Sequence, residues 1–217
     1  MGRTQHPVRD GRAEIAQRAA RLLVDGDAGD FDGARRKAAR ELGAEHSRHL
    51  PDNLAVQRAL IEYLRLFHGA EQAARIARMR RVALKALNLL AGFQPLLVGP
   101  VLYGTAGAST PVSLHLRCDE FEAVTRFLLE RRFPYQLIDT QLRLAGVAGS
   151  QRVVKIALSL YHEAVELTVL PAQHARQPLS AIDGRPMQRV DAAALEELLD
   201  SGVLFNADFA GRAAGGD

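Results

Sequence analysis

The chain is short of everything that would staple it, anchor it or let its parts swing apart. Its 217 residues include one cysteine, Cys118, so an internal disulfide is excluded, and no His/Cys cluster has the spacing of a zinc site. A reducing compartment is expected. No apolar run approaches the ~18 residues needed to cross a bilayer. The basic N-terminus MGRTQHPVRDGR has no apolar stretch behind it that would make it a secretory leader. Both absences read as a cytoplasmic chain without membrane contact. Proline is scarce in the first half, where Pro51 stands alone between Ala13 and Gly92. No Gly/Ser/Pro-rich linker separates Leu90 from Pro95, which favours packing of the two halves on each other.

Several catalytic signatures are missing as well. The glycines of GPVLYGTAGAS are not followed by Lys-Ser/Thr, so they form no P-loop. Their spacing is not that of a dinucleotide fingerprint, and a strand pattern follows where a helix should open. No Gly-x-Ser-x-Gly elbow supports Ser-His-Asp hydrolysis.

What is present is enough apolar residue, 47% of the chain, for a sizeable core. The net charge of +3 is uneven: Met1 to Phe93 carries 17 Lys and Arg against 11 Asp and Glu, and the remainder 11 against 14. Such an asymmetry permits contact with a polyanion without requiring it.

The positive half has apolar positions recurring at three and four residues, the mark of helices with one buried face. Four helices are expected. The first covers Ala13 to Val24, with Ile15, Ala19, Leu22 and Leu23 inward, and DGDAGD breaks it. The second covers Phe31 to Leu42, capped by Asp30 and ended at Gly43. The third follows LPDN, capped by Asp52 or Asn53, and runs to Phe67. The fourth covers Ala70 to Leu90, with Ile76, Met79, Ala83, Ala86 and Leu90 on a packing stripe. Arg75, Arg78, Arg81 and Lys85 lie on another face, and Arg36 and Arg40 share one on the second helix. These basic faces read either as a phosphate track, with Arg36, Arg40, Arg78, Arg81 and Lys85 as nucleic-acid contacts, or as solvated helix surface. Neither interleaves aromatics with charge, which disfavours a stacking platform for single strands.

Beyond Pro95 short apolar runs alternate with glycine and polar clusters. LLVGPVL reads as a short strand or strand-to-turn element. VSLHL reads as a strand with Val112, Leu114 and Leu116 on one face and Ser113 and His115 on the other. DEFEAVTRFLLERR is a helix that buries Phe121, Val124, Phe127 and Leu128, with Asp119 as cap. PYQLID, VVKIALSLYH and AVELTVLP are strands, with AGVAGS as a loop and YHEAV as a hairpin turn. DAAALEELLDSG closes the ordered part as a short helix.

The stretch from Leu97 to Leu116 resembles the signature of the nucleotidyltransferase superfamily that includes DNA polymerase β and the minimal nucleotidyltransferases. That pattern is an apolar residue, Gly and Ser, a second glycine about five residues on, then a strand bearing Asp-apolar-Asp. Val98 and Gly99 match its start, Pro100 stands where serine is usual, and Gly104 matches the second glycine. Pro111 and Ser113 stand where the acids belong. The resemblance spans about Pro95 to Pro171, and the N-terminal helices resemble those preceding this domain in a group of bacterial nucleotidyltransferase-like proteins.

The order of helices and strands gives an α+β architecture, a helical region over 1–93 packed as a bundle on a small mixed sheet over 94–205 with a flexible tail over 206–217, and the resemblance makes the second part a nucleotidyltransferase-like domain. The resemblance also implies a cleft lined by Gly99, Gly104, Thr105, Ser109, Ser113, His115 and Glu166, the last standing for the third acid that the superfamily takes from a neighbouring strand.

The chemistry of the motif can be argued separately. Glycine lets backbone amides approach a triphosphate. Carboxylates at i and i+2 on a strand project from one face and can hold magnesium there. Proline and serine cannot, and one glutamate is too little for a two-metal site. The expectation is a degenerate member with no catalytic residue, metal site or cofactor, whose cleft takes a nucleotide, a nucleic acid or a protein partner. Two alternatives stand beside it. One is an active transferase with magnesium in an unusual site around Glu166, helped by Ser113 or His115. The other is an interaction module working through the basic helices.

Overall fold

Small residues decide how the first three helices meet. In the computed structural model, which describes residues 9–44, 50–171 and 177–205, α1 (Arg9–Val24) buries Ile15, Ala16, Ala19 and Leu22 at three- and four-residue intervals. Helix α2 (Phe31–Glu41) meets it with Ala34, Ala38 and Ala39, whose short side chains permit close approach. Helix α3 (Asn53–Phe67) supplies Val56, Leu60 and Leu64 at successive four-residue steps. Asp30 caps α2 by accepting from the Gly33 amide at 2.6 Å, and Asp52 caps α3 by accepting from the Ala55 amide at 2.7 Å. Each satisfies one of the amides left free in a first helical turn. The helix boundaries expected from periodicity lie within a few residues of those found; the segment expected as a tail, 206–217, is outside the described residues.

The chain divides into two units, one of residues 1–69 with 181–184 and the other of residues 70–180 with 185–217. The second unit contains α4 (Gly69–Leu89), whose Ile76, Met79, Ala83, Ala86 and Leu87 belong to the same apolar core as the sheet. That sheet runs β1 (Leu96–Val98), β2 (Val112–Arg117), β5 (Glu163–Leu170), β4 (Ser150–Leu160), β3 (Tyr135–Arg143). Among the described strands only β2 and β5 pair in parallel. The chain leaves β2 through α6 (Phe121–Glu130), makes the β3–β4 hairpin, and returns to place β5 between β2 and β4. The fold is α+β with an N-terminal helical region.

Strand residues alternate faces, so one face of the sheet can be apolar while the other is polar. Val112, Leu114 and Leu116 of β2, Ile156 of β4 and Leu167 of β5 are fully buried on the first face, together with Val124 and Leu128 of α6 and Leu195 of α7 (Ala192–Asp200). Tyr161 and His162 form the two-residue turn between β4 and β5, both left-handed with φ of 52° and 67°, as the tight hairpin geometry requires. One expected cap is displaced: the residue before α6 in the cap position is Glu120, not Asp119, and its side chain makes no capping bond. The short element expected as LLVGPVL resolves into the three residues of β1 followed by one turn of helix, α5 (Pro100–Tyr103). Among the described residues no helix is long and apolar enough to cross a membrane.

Candidate functional site

The other face of the sheet gathers the polar residues. Register aligns Val98, Ser113, Glu166 and Ala157 in one row across β1, β2, β5 and β4, and Leu96, His115, Thr168 and Lys155 in the next. Parallel pairing of β2 with β5 therefore sets Glu166 directly across from Ser113. Lys155 stands diagonally from Glu166 on the neighbouring strand, within reach of a long side chain. Its Nζ donates to Glu166 Oε2 at 2.8 Å, and both side chains are three-quarters buried.

Beyond β1, Val190 makes an isolated antiparallel bridge with Leu97, with amide–carbonyl bonds in both directions at 2.8 and 3.1 Å. Val190 and Leu97 share the core face, so Arg189, one residue earlier, falls on the polar face with Val98 and His115. Arg117 ends β2 on that same face. His115 is 4% exposed and its Nδ1 has no hydrogen-bond partner among the described residues. Burial, then the positive charges of Arg189 and Lys155, push the imidazole down to about 4, so it is neutral near pH 7 and far from the value that suits a general base there. The Arg189 guanidinium is lowered too, by burial first and then by Arg117. Lys155 and Arg189, both partly buried, thus flank His115 on a face where Glu166 is already engaged by Lys155.

Three residues expected in the cleft, Ser113, His115 and Glu166, are thus brought together. Gly99 borders them: a Cβ there would lie 4.0 Å from the Ser113 Cβ, and its φ of 76° suits glycine. Gly104 faces something else. A Cβ on it would stand 2.1 Å from the Leu204 carbonyl oxygen, at a φ of 85°, so the chain's own C-terminal segment occupies the space beside this glycine. The amides of the turn are spent locally. Those of Gly104 and Thr105 donate to the Pro100 carbonyl and that of Gly107 to the Thr110 hydroxyl. Thr105 is half-buried and Ser109 exposed in the loop leading to β2.

A residue that sequence reasoning missed holds this corner. Arg80, 3% exposed, donates to the carbonyls of Val101, Leu102, Val203 and Leu204 at 2.5 to 3.2 Å, and burial lowers its guanidinium to about 10. It satisfies carbonyls that a one-turn helix leaves open. The signal was available: Arg80 lies four residues after Ile76 and three before Ala83, on the apolar stripe. Gln72, four residues before Ile76, likewise donates to the carbonyls of Gly104 and Ala106 at 2.9 and 3.0 Å.

The basic faces are partly engaged within the molecule. Arg78 pairs with Glu163 at 2.8 Å, Arg75 with Glu71 at 2.7 Å, and Lys85 stands 5.2 Å from the centre of the Tyr161 ring. Arg81 is exposed on α4, as are Arg36 and Arg40 on α2. In the helical unit, Arg21, Tyr63 and Phe67 help line a cavity of about 130 Å³.

Among the described residues, no three of His, Cys, Asp and Glu converge in a way that could hold a metal ion. Compared with known proteins, the chain matches no family model, no curated protein and no solved structure.

Proposed function

We propose that this is a nucleotidyltransferase-like domain without transfer chemistry, which uses the polar face of its sheet to hold an anionic ligand of the nucleotide class. The observation that carries the reading is the row Ser113–Glu166. A serine stands where the resemblance calls for a carboxylate, and the one acid opposite it is neutralised by Lys155 at 2.8 Å. Two-metal phosphoryl chemistry needs converging negative oxygens to fix the cations. An ammonium set on the remaining acid works against that. The cationic surroundings of His115 support anion binding in its place. The domain would work in a reducing cytoplasm, where the sole thiol, Cys118, stays free.

The test is a screen of the four nucleoside triphosphates by thermal shift, with and without manganese, alongside transfer of an α-phosphate label. A rise in Tm that survives chelation, with no label transferred, is the expected result. Label transfer that Glu166→Ala abolishes would establish the active alternative.

A further inference from the structure

Glu166 looks at first like the residue that helps a ligand bind. The geometry points the other way. We propose that Glu166 is an internal stand-in for the ligand: it occupies Lys155, and an incoming phosphate group displaces it and is held by Lys155 and Arg189 without a divalent cation. This rests on the reading that the polar face is the ligand face, and it deepens that reading by naming the group recognised and the residue that competes with it.

Lys155 projects from β4 into the row of His115 and Thr168, and its ammonium turns diagonally to Glu166 in the Ser113 row. Arg189 enters the same face from beyond β1, and Arg117 from the end of β2. Lys155 and Arg189 therefore stand on opposite sides of a floor made by Ser113, His115 and Thr168. That floor is small and polar, and it includes a buried ring nitrogen with no hydrogen-bond partner among the described residues.

Charge gives the direction. Lys155 and Arg189 are both partly buried and both act on His115, and Glu166 is paired with Lys155. A phosphate oxygen offers the same acceptor as a carboxylate oxygen, with more charge and more acceptors, and can bridge cations that a glutamate on β5 cannot reach together. Arginine suits it by presenting a planar fork of donors. A metal ion would have to enter a neighbourhood already positive, beside a carboxylate already paired. The two proposals for this face thus differ in sign at one residue: Glu166 would assist a metal-dependent ligand and oppose a metal-free one.

The probe is inorganic pyrophosphate, titrated into the full-length protein by calorimetry in EDTA. Binding is expected in the wild type, tightened several-fold to about tenfold in Glu166→Gln, and weakened about tenfold or more in Lys155→Met and in Arg189→Ala. Because Lys155→Met leaves Glu166 three-quarters buried and unpaired, the double variant Lys155→Met/Glu166→Gln keeps the volumes without either charge. It should fold with wild-type circular dichroism and lose binding. The inference is overturned if Glu166→Gln binds more weakly than wild type, if the Lys155 and Arg189 variants bind as well as wild type, if binding needs added magnesium, or if no pyrophosphate binds to any of them. Its failure is separable from failure of the functional reading. Pyrophosphate that binds as described where no nucleoside triphosphate does would retain the site and remove the nucleotide, whereas nucleotide binding indifferent to Glu166→Gln would do the reverse.

Discussion

His115 shows what the polar face costs. Its imidazole titrates near 4 in the folded protein, against about 6.5 in an unfolded chain. Between those values the unfolded chain takes up a proton that the folded protein refuses. Stability is therefore full above about pH 6.5 and falls as the pH drops toward 4, by on the order of 3 kcal/mol from this group alone. Urea unfolding of wild type and His115→Gln at pH 7, 5.5 and 4.5 checks this. The wild type should lose more stability than the variant over that range, whatever the offset between them at pH 7. Equal losses would mean that His115 is not held neutral. At the same scale, Arg80 could be read from its place on the apolar stripe of α4, but its four carbonyl partners could not. Val203 and Leu204 lie more than a hundred residues away, and nothing local foretells that they meet the end of α5.

At the scale of elements, the glycine turn after β1 was legible as a turn and misleading as a cradle. The sequence requires glycine at position 104 for either of two reasons, a nearby ligand or nearby backbone, and both leave the same residue type. The structure puts backbone there: the Leu204 carbonyl would be 2.1 Å from an added Cβ. Gly104→Ala should therefore destabilise the protein through steric conflict and a left-handed backbone, by roughly 2–4 kcal/mol, seen as a Tm lowered by several degrees. An unchanged Tm with pyrophosphate binding lost would return Gly104 to the ligand site.

The strands were readable because β2 and β5 alternate or run apolar over enough residues to declare a face. Their mutual register was not. The pairing of Ser113 with Glu166, and the diagonal that brings Lys155 onto that acid, depends on a crossover through α6 and a hairpin. Resemblance to a family suggested Glu166; only the sheet order revealed what stands beside it. The basic face of α4 carried a similar ambiguity, and the β4–β5 hairpin gives two of its residues contacts within the molecule. Glu163 takes Arg78, and Tyr161 lies against Lys85.

At the scale of the whole molecule, the excess of positive charge, +3 with an isoelectric point near 9.3, favours acidic ligands without choosing among them. The choice is made locally, by which charges meet on one face. The α+β class and the helical N-terminal region could be read from periodicity alone, since a change from three- and four-residue steps to short apolar runs is a property of the chain itself. The apolar core of the second unit draws on α4, the sheet, α6 and α7 together, and leaves the opposite face of the sheet to Ser113, His115, Lys155, Glu166 and Arg189. The central claim is that this face receives a phosphate group on protein cations alone. It is tested most directly by soaking crystals with a non-hydrolysable nucleoside triphosphate and manganese and recording anomalous scattering. The account predicts phosphate density against Lys155 and Arg189, with Glu166 turned away and no manganese peak beside it; two manganese peaks bridging Glu166 and the phosphates would contradict it.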